Sequence, residues 1–124
     1  MDVKDIGKAY LTFLEAGAID NILSLFAKNG EVVSPLYGAK PASEFYKELQ
    51  ADTQNSSITL NGIFTEELQN RMALLFTYEW TLINGEVSRF DVVDIFEFDS
   101  QSKITKLTII YDTLATRKLK EALR

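Results

Sequence analysis

Cysteine and histidine are both missing from this sequence of 124 residues. Without cysteine the chain forms no disulfide, has no thiol nucleophile and offers no thiolate to a metal, a usage that fits a reducing compartment. Without histidine it lacks imidazole ligands for zinc, the Ser-His-Asp triad and the commonest general base. Acid–base chemistry then falls to carboxylates, Tyr, Lys or bound water, and neither a metal nor a cofactor is expected. Long apolar runs are absent too, at the start Met1-Asp2-Val3-Lys4-Asp5 as elsewhere, so no membrane span is expected and the chain reads as cytoplasmic. Positive charge is scarce, with 13 Lys and Arg against 18 Asp and Glu, a net charge of −5. That balance argues against nucleic acid or an anionic membrane as a partner. The one basic run, Arg117-Lys118-Leu119-Lys120, suits the C-terminal end of a terminal helix.

What is present is a composition, 46% hydrophobic and 25% charged, that can build one globular domain with a real core. Val3, Ile6, Tyr10, Phe13 and Leu14 recur at helical spacing between a capping Asp2 and a terminating Gly17. Ile19, Ile22, Leu23 and Phe26 repeat the pattern, which Asn29-Gly30 is expected to end. Glu31 to Val33 reads as a short strand and Ser34 to Gly38 as a turn-rich loop. Pro41 suits the first position of a third helix with Phe45, Tyr46 and Leu49 on its buried stripe. From there the period changes to two, and 57–65, 71–83, 87–98 and 103–111 read as strands. Thr113 to Arg124 closes the chain as an amphipathic helix with Asp112 as a plausible cap. Helices first and strands afterwards predict an α+β fold, an antiparallel sheet covered by helices.

Asn84-Gly85 predicts a two-residue hairpin in which Ile83 faces Glu86. That register sets Glu79 opposite Phe90 and Leu75 opposite Asp94, and it makes both sheet faces substantially apolar. Helices cover one face only, so a homodimer through the outer sheet face is expected.

Strand alternation over Phe90-Asp91-Val92-Val93-Asp94-Ile95-Phe96-Glu97-Phe98 puts Asp94 on the apolar face with Phe90, Val92, Phe96 and Phe98. A carboxylate there needs partners or its proton, and such perturbed acids concentrate in functional clefts, although a satisfied core aspartate reads the same way. The predicted register brings Glu79 to the Asp94 face as a possible base, with an outward-facing glutamate as the alternative. Asp91 and Arg89 fall on the opposite face.

Tyr10 to Asp20, Val33-Ser34-Pro35 and Phe90 to Asp94, in this order and covering almost the whole chain, resemble the nuclear-transport-factor-2-like superfamily in its ketosteroid isomerase and SnoaL-like branch. The resemblance implies a cone-shaped curved antiparallel sheet with N-terminal helices on its concave face. It implies that Tyr10 and a protonated Asp94 donate hydrogen bonds to a substrate oxyanion. Where those isomerases carry the proton-shuttling aspartate before a proline, this chain has Ser34 before Pro35. Serine has no accessible anion near neutral pH and no histidine to activate it, so the steroid isomerase reaction itself is not expected. Asp112 after Tyr111 resembles the Tyr-Asp ending of SnoaL-like sequences, and helix capping explains it equally well.

Two readings of different kinds follow. The first is a small-molecule-binding protein for a small hydrophobic molecule, possible as a cofactor-free isomerase, dehydratase or cyclase acting through an enol-like intermediate. Tyr10, Asp94 and Glu79 are its catalytic candidates; Ser34, Phe26, Phe45, Tyr46, Phe90, Val92, Leu107, Ile109 and Tyr111 line its pocket. The second is a non-catalytic dimerisation or protein-binding module of the same fold, which the serine at position 34 favours. An epoxide hydrolase of the Asp-Arg-Asp type ranks below both, because Arg89 and Asp94 point to opposite faces.

Overall fold

The computed structural model describes residues 2–123; Met1 and Arg124, the last residue of the predicted terminal helix, lie outside the described residues. Helix α1 spans Val3–Ala16, starting where the Asp2 carboxylate accepts the Lys4 N–H at 3.2 Å. It stops at Gly17, whose φ of 69° lets Gly17 and Ala18 donate back to the Leu14 and Phe13 carbonyls. A short α2, Ile19–Ser24, follows. The expected continuation of α2 to Asn29-Gly30 does not form, and that stretch belongs instead to strand β1, Phe26–Ser34. Pairing with a distant strand overrides the local helical period here.

Strand β2, Gly38–Pro41, pairs antiparallel with β1, so Pro41 ends a strand and caps α3, Ala42–Asp52, instead of starting it. The remaining elements are β3, Thr53–Glu66, β4, Arg71–Leu82, β5, Val87–Phe98, β6, Ile104–Ile110, and α4, Leu114–Glu121. Strand β3 starts four residues before the expected 57, directly after α3. The strands form one curved, unclosed sheet in the order β2-β1-β6-β5-β4-β3. Neighbours run antiparallel except β1 beside β6, which is parallel. The fold is α+β, with α1, α2 and α3 packed on the inner face through Ile6, Tyr10, Leu14, Ile22, Phe45 and Tyr46. Among the described residues no helix is long and apolar enough to cross a membrane.

The β4–β5 register differs from the sequence expectation by one residue. Leu82 exchanges hydrogen bonds with Glu86 and Gly85, closing a three-residue loop, Ile83-Asn84-Gly85, with Gly85 at φ 91°. A glycine in the left-handed region at the end of such a loop adds one residue to the turn, and one residue of slip turns every side chain to the other face. Leu74 therefore sits opposite Asp94, Tyr78 opposite Phe90 and Glu79 opposite Arg89. The stripe Met72, Leu74, Phe76, Tyr78, Trp80 and Leu82 is buried on the same inner face as Val92, Asp94, Phe96 and Phe98. Each such apolar side chain contributes about 1.5–3 kcal/mol on burial, so the expected register would forgo on the order of 10 kcal/mol, comparable to a whole domain's stability.

Gly30 lies where β1 shifts its register against β6, and a Cβ built there would stand 2.9 Å from the Ile104 carbonyl oxygen and 2.8 Å from the Phe26 ring. The glycine serves close backbone approach. Gly30→Ala is expected to destabilise the fold by about 1–3 kcal/mol, more than the roughly 0.4–1 kcal/mol gained from a stiffer unfolded chain. Urea denaturation of the two proteins measures the difference, and an unchanged midpoint would contradict the contact.

Candidate functional site

Inside the sheet lies a cavity of about 40 Å³ lined by residues from six elements, the loop after β1 and Tyr111 just beyond β6. Strand β4 supplies Phe76, Tyr78 and Trp80, β5 supplies Phe90, Val92 and Asp94, and α1 supplies Tyr10 and Leu14. Ser34, Leu36, Tyr37, Phe45, Leu49, Ile109 and Tyr111 complete the wall. The volume suits roughly three waters. Among the expected ligand residues, Ser34, Phe45, Phe90, Val92, Ile109 and Tyr111 do line this space. Phe26, Tyr46 and Leu107 do not: they are buried in the core around it, Tyr46 and Leu107 with no exposed surface.

Asp94 sits at the middle of the inner face, between Leu74 of β4 and Ile109 of β6, and is 2% exposed. Its Oδ1 is buried without a hydrogen-bond partner among the described residues. Burial pushes the carboxyl well above the usual carboxylate range, so the neutral, proton-bearing form is favoured. Asp94 and Tyr10 do not hydrogen-bond to each other. Tyr10 and Tyr46 share a hydrogen bond of 2.6 Å between their hydroxyls instead, and the Tyr10 ring packs edge-on against Phe96. Burial raises both phenols well above their ordinary value. The Tyr78 hydroxyl shares a 2.7 Å bond with Ser56, and burial pushes it up to about 12.

The other polar groups of the wall are committed to structure. Ser34 Oγ accepts the Leu36 and Tyr37 N–H groups at 3.2 and 3.3 Å, anchoring the turn that follows β1. Its own hydroxyl proton is left to donate. Tyr37 donates to Asp52 Oδ2 at 2.7 Å, and burial holds its phenol up. Tyr111 stacks on Phe90 at 4.3 Å and is raised by burial as well. The lining contains no Lys, Arg or Glu, so near neutral pH it presents donors in an apolar shell and no charged base.

Glu79, the expected base, is corrected by the register: it lies on the outer face, opposite Arg89, with their charged ends 3.8 Å apart. Asp91 is on that face too and accepts from Thr77 at 2.8 Å. Asp112 Oδ1 accepts the Leu114 N–H at 3.0 Å from one residue ahead of Thr113, which holds the N-cap position of α4. No group of three or more His, Cys, Asp or Glu is placed to hold a metal ion among the described residues. The lining residues not anticipated are of three kinds, the first being Leu14 and Leu49, read only as members of the buried helical stripes of α1 and α3. Phe76, Tyr78 and Trp80 were visible as an apolar stripe and needed only the longer turn to be placed here. Leu36 and Tyr37 lie in a loop with no periodicity to read.

No protein-family model matches the chain, and no curated protein resembles it significantly in sequence. Solved structures do resemble it in shape. TerC, crystallised with polyporic acid, superposes with a TM-score of 0.81 over 96% of this chain and 98% of its own, at 22% identity. SalBIII, an epoxide hydrolase/cyclase-like enzyme with a role in pyran ring formation in salinomycin, gives 0.77 over 89% and 90%, at 17% identity. A nuclear-transport-factor-2-like protein of unknown function from Burkholderia pseudomallei gives 0.82 over 96% and 98%, at 15% identity. These likenesses bear out the fold that the sequence resemblance implied.

A buried carboxyl whose folded form keeps its proton makes the native state bind more protons than the unfolded chain once pH passes about 4. Stability from this residue is therefore greatest in acid and falls as pH rises. Asp94→Asn is expected to remove that dependence, gaining on wild type by up to about 1.4 kcal/mol per pH unit above pH 4 until the native carboxyl ionises. Urea denaturation of both proteins between pH 4.5 and 8 reads this directly; parallel curves would place the carboxyl in water.

Proposed function

On a scaffold of the nuclear-transport-factor-2-like type, we propose that this chain binds a small, largely apolar molecule through a carbonyl or phenolate oxygen. Tyr10 and neutral Asp94 donate to that oxygen, and the aromatic wall of β4 and β5 holds the body. One observation carries the reading: Oδ1 of the buried Asp94 in the cavity wall has no hydrogen-bond partner among the described residues. Leaving such a group unsatisfied costs about 1–3 kcal/mol, a cost that a guest oxygen removes. A reaction at this site runs through an enol-like intermediate, as in isomerisation, dehydration or cyclisation, with the donors stabilising the developing oxyanion. Because the lining holds no charged base, the proton is moved by a group of the substrate or by water. That polyporic acid co-crystallises with TerC and that SalBIII has a role in pyran ring formation in the polyether salinomycin support an organic small molecule as the guest.

Calorimetric titration with phenols and planar ketones tests this. Asp94→Leu combined with Tyr10→Phe is expected to weaken binding of a phenol about 10- to 100-fold, as expected for lost hydrogen bonds to a charged oxygen. Asp94→Leu alone should raise thermal stability while lowering affinity, a divergence that a general folding defect does not produce. Undiminished binding by the double variant would overturn the reading.

We also propose that two copies pair through the outer sheet face. Register aligns Leu75, Val93 and Ile110 in one row across β4, β5 and β6, and Phe64, Ala73 and Ile95 in the next across β3, β4 and β5. Ile110 and Phe64 are 51% and 60% exposed, an apolar patch bordered by Asn61, Thr77 and Asp91. Sedimentation equilibrium is expected to show a dimer for wild type and a monomer for Val93→Lys. A wild-type monomer at tens of micromolar would refute it.

A further inference from the structure

The inner cavity is too small for any aromatic guest: a benzene-sized void is about 150 Å³, against about 40 Å³ here. Some part of the wall must give, and the structure distinguishes its two ends. Toward α4 the wall is latched by polar contacts. Lys120 sits over the Tyr37 ring at 4.6 Å, Arg117 donates to the Pro35 carbonyl at 2.7 Å, and Ser88 and Thr116 share a buried 2.7 Å bond, while Tyr37 itself reaches across to donate to Asp52, the last residue of α3. Toward the C-terminal ends of α1 and α3 the cavity abuts a cleft of about 250 Å³. Leu14, Leu49 and Tyr78 line both spaces. Tyr78 is pinned by Ser56, and Trp80, on the cavity side, is pinned through its Nε1 to Thr53 on the cleft side at 2.8 Å. The partition that remains free to move is two leucine side chains, held by packing alone.

We propose that the cleft is the outer half of the binding site, so that the guest spans the Leu14/Leu49 partition with its acceptor oxygen inside and a polar end outside. The proposal rests on the reading of the inner cavity given above and names the guest more closely. Gln50, Gln54 and Asn55 border the cleft with exposed amides, whereas the cavity is apolar with neutral donors. A matching molecule is elongated and amphipathic: a flat apolar head with a carbonyl or phenol oxygen, and a tail that hydrogen-bonds in water. Cavity and cleft together reach the lower end of the range of small-molecule sites, ~300 Å³.

The test uses the full chain and two probes, 2-naphthol and 2-naphthol carrying a butyrate tail on its distal ring. Gln50 is exposed in the cleft and touches nothing in the inner cavity, so changing its charge leaves the head site intact. Gln50→Lys is expected to tighten the tailed probe about 3- to 10-fold and Gln50→Glu to weaken it similarly, both leaving 2-naphthol within about twofold of wild type, the size of a partly screened charge pair. Asp94→Leu should weaken both probes. If 2-naphthol binds in an Asp94-dependent way and the tailed probe ignores the charge at position 50, the cleft is not part of the site and the inner-cavity reading stands. If neither probe binds, both fall.

Discussion

Gly85 holds the left-handed conformation that ends the loop after β4, and that turn fixes which faces of the two central strands coincide. With β4 and β5 in this register, two apolar stripes and one aspartate point the same way, toward the helices. The core, the cavity and the position of Asp94 all descend from it. The outer face is left with a mixture of aliphatic rows and an ion pair, Glu79 with Arg89, which is exposed and contributes little by itself.

Much of this was legible without coordinates. The capped first helix, the third helix, the limits of β5 and the inward direction of Asp94 follow from period, caps and turn residues that act locally. The failures have two causes, a partner far along the chain or a turn whose residues fit two loop lengths. Asn29-Gly30 carries the signature of a helix end, yet β1 exists because β6 pairs with it. Asn84-Gly85 announced a hairpin correctly, but two- and three-residue loops use the same residues and differ in register, and Glu79 went to the wrong face with that single ambiguity. In the site, Tyr10 and Asp94 line the same cavity, and Tyr10 bonds to Tyr46 of α3, a contact between two helices that is not encoded in either one's spacing.

The polar arrangement of the cavity is asymmetric in a chemically informative way. Phenols that could have satisfied Asp94 are engaged elsewhere: Tyr10 with Tyr46, Tyr78 with Ser56, and Tyr37 with Asp52. The wall thus combines several satisfied groups with one carboxyl oxygen that has no partner among the described residues, the contrast on which the proposed recognition rests. Serine at position 34 fits the same picture, since it anchors the loop and adds no charge to the interior.

The parallel pairing of β1 with β6 has its own consequence for how the molecule is assembled. The β1–β2 ribbon joins the remaining sheet only through β6, which is synthesised some seventy residues after β1. Helices α1 to α3 and the β3–β4–β5 meander can form as synthesis proceeds, whereas the ribbon waits with an unpaired edge until β6 arrives to bridge the two halves. Synthesis of β6 and the joining of the two halves are therefore the same event, and loss of β6 would strand the early ribbon instead of trimming an edge.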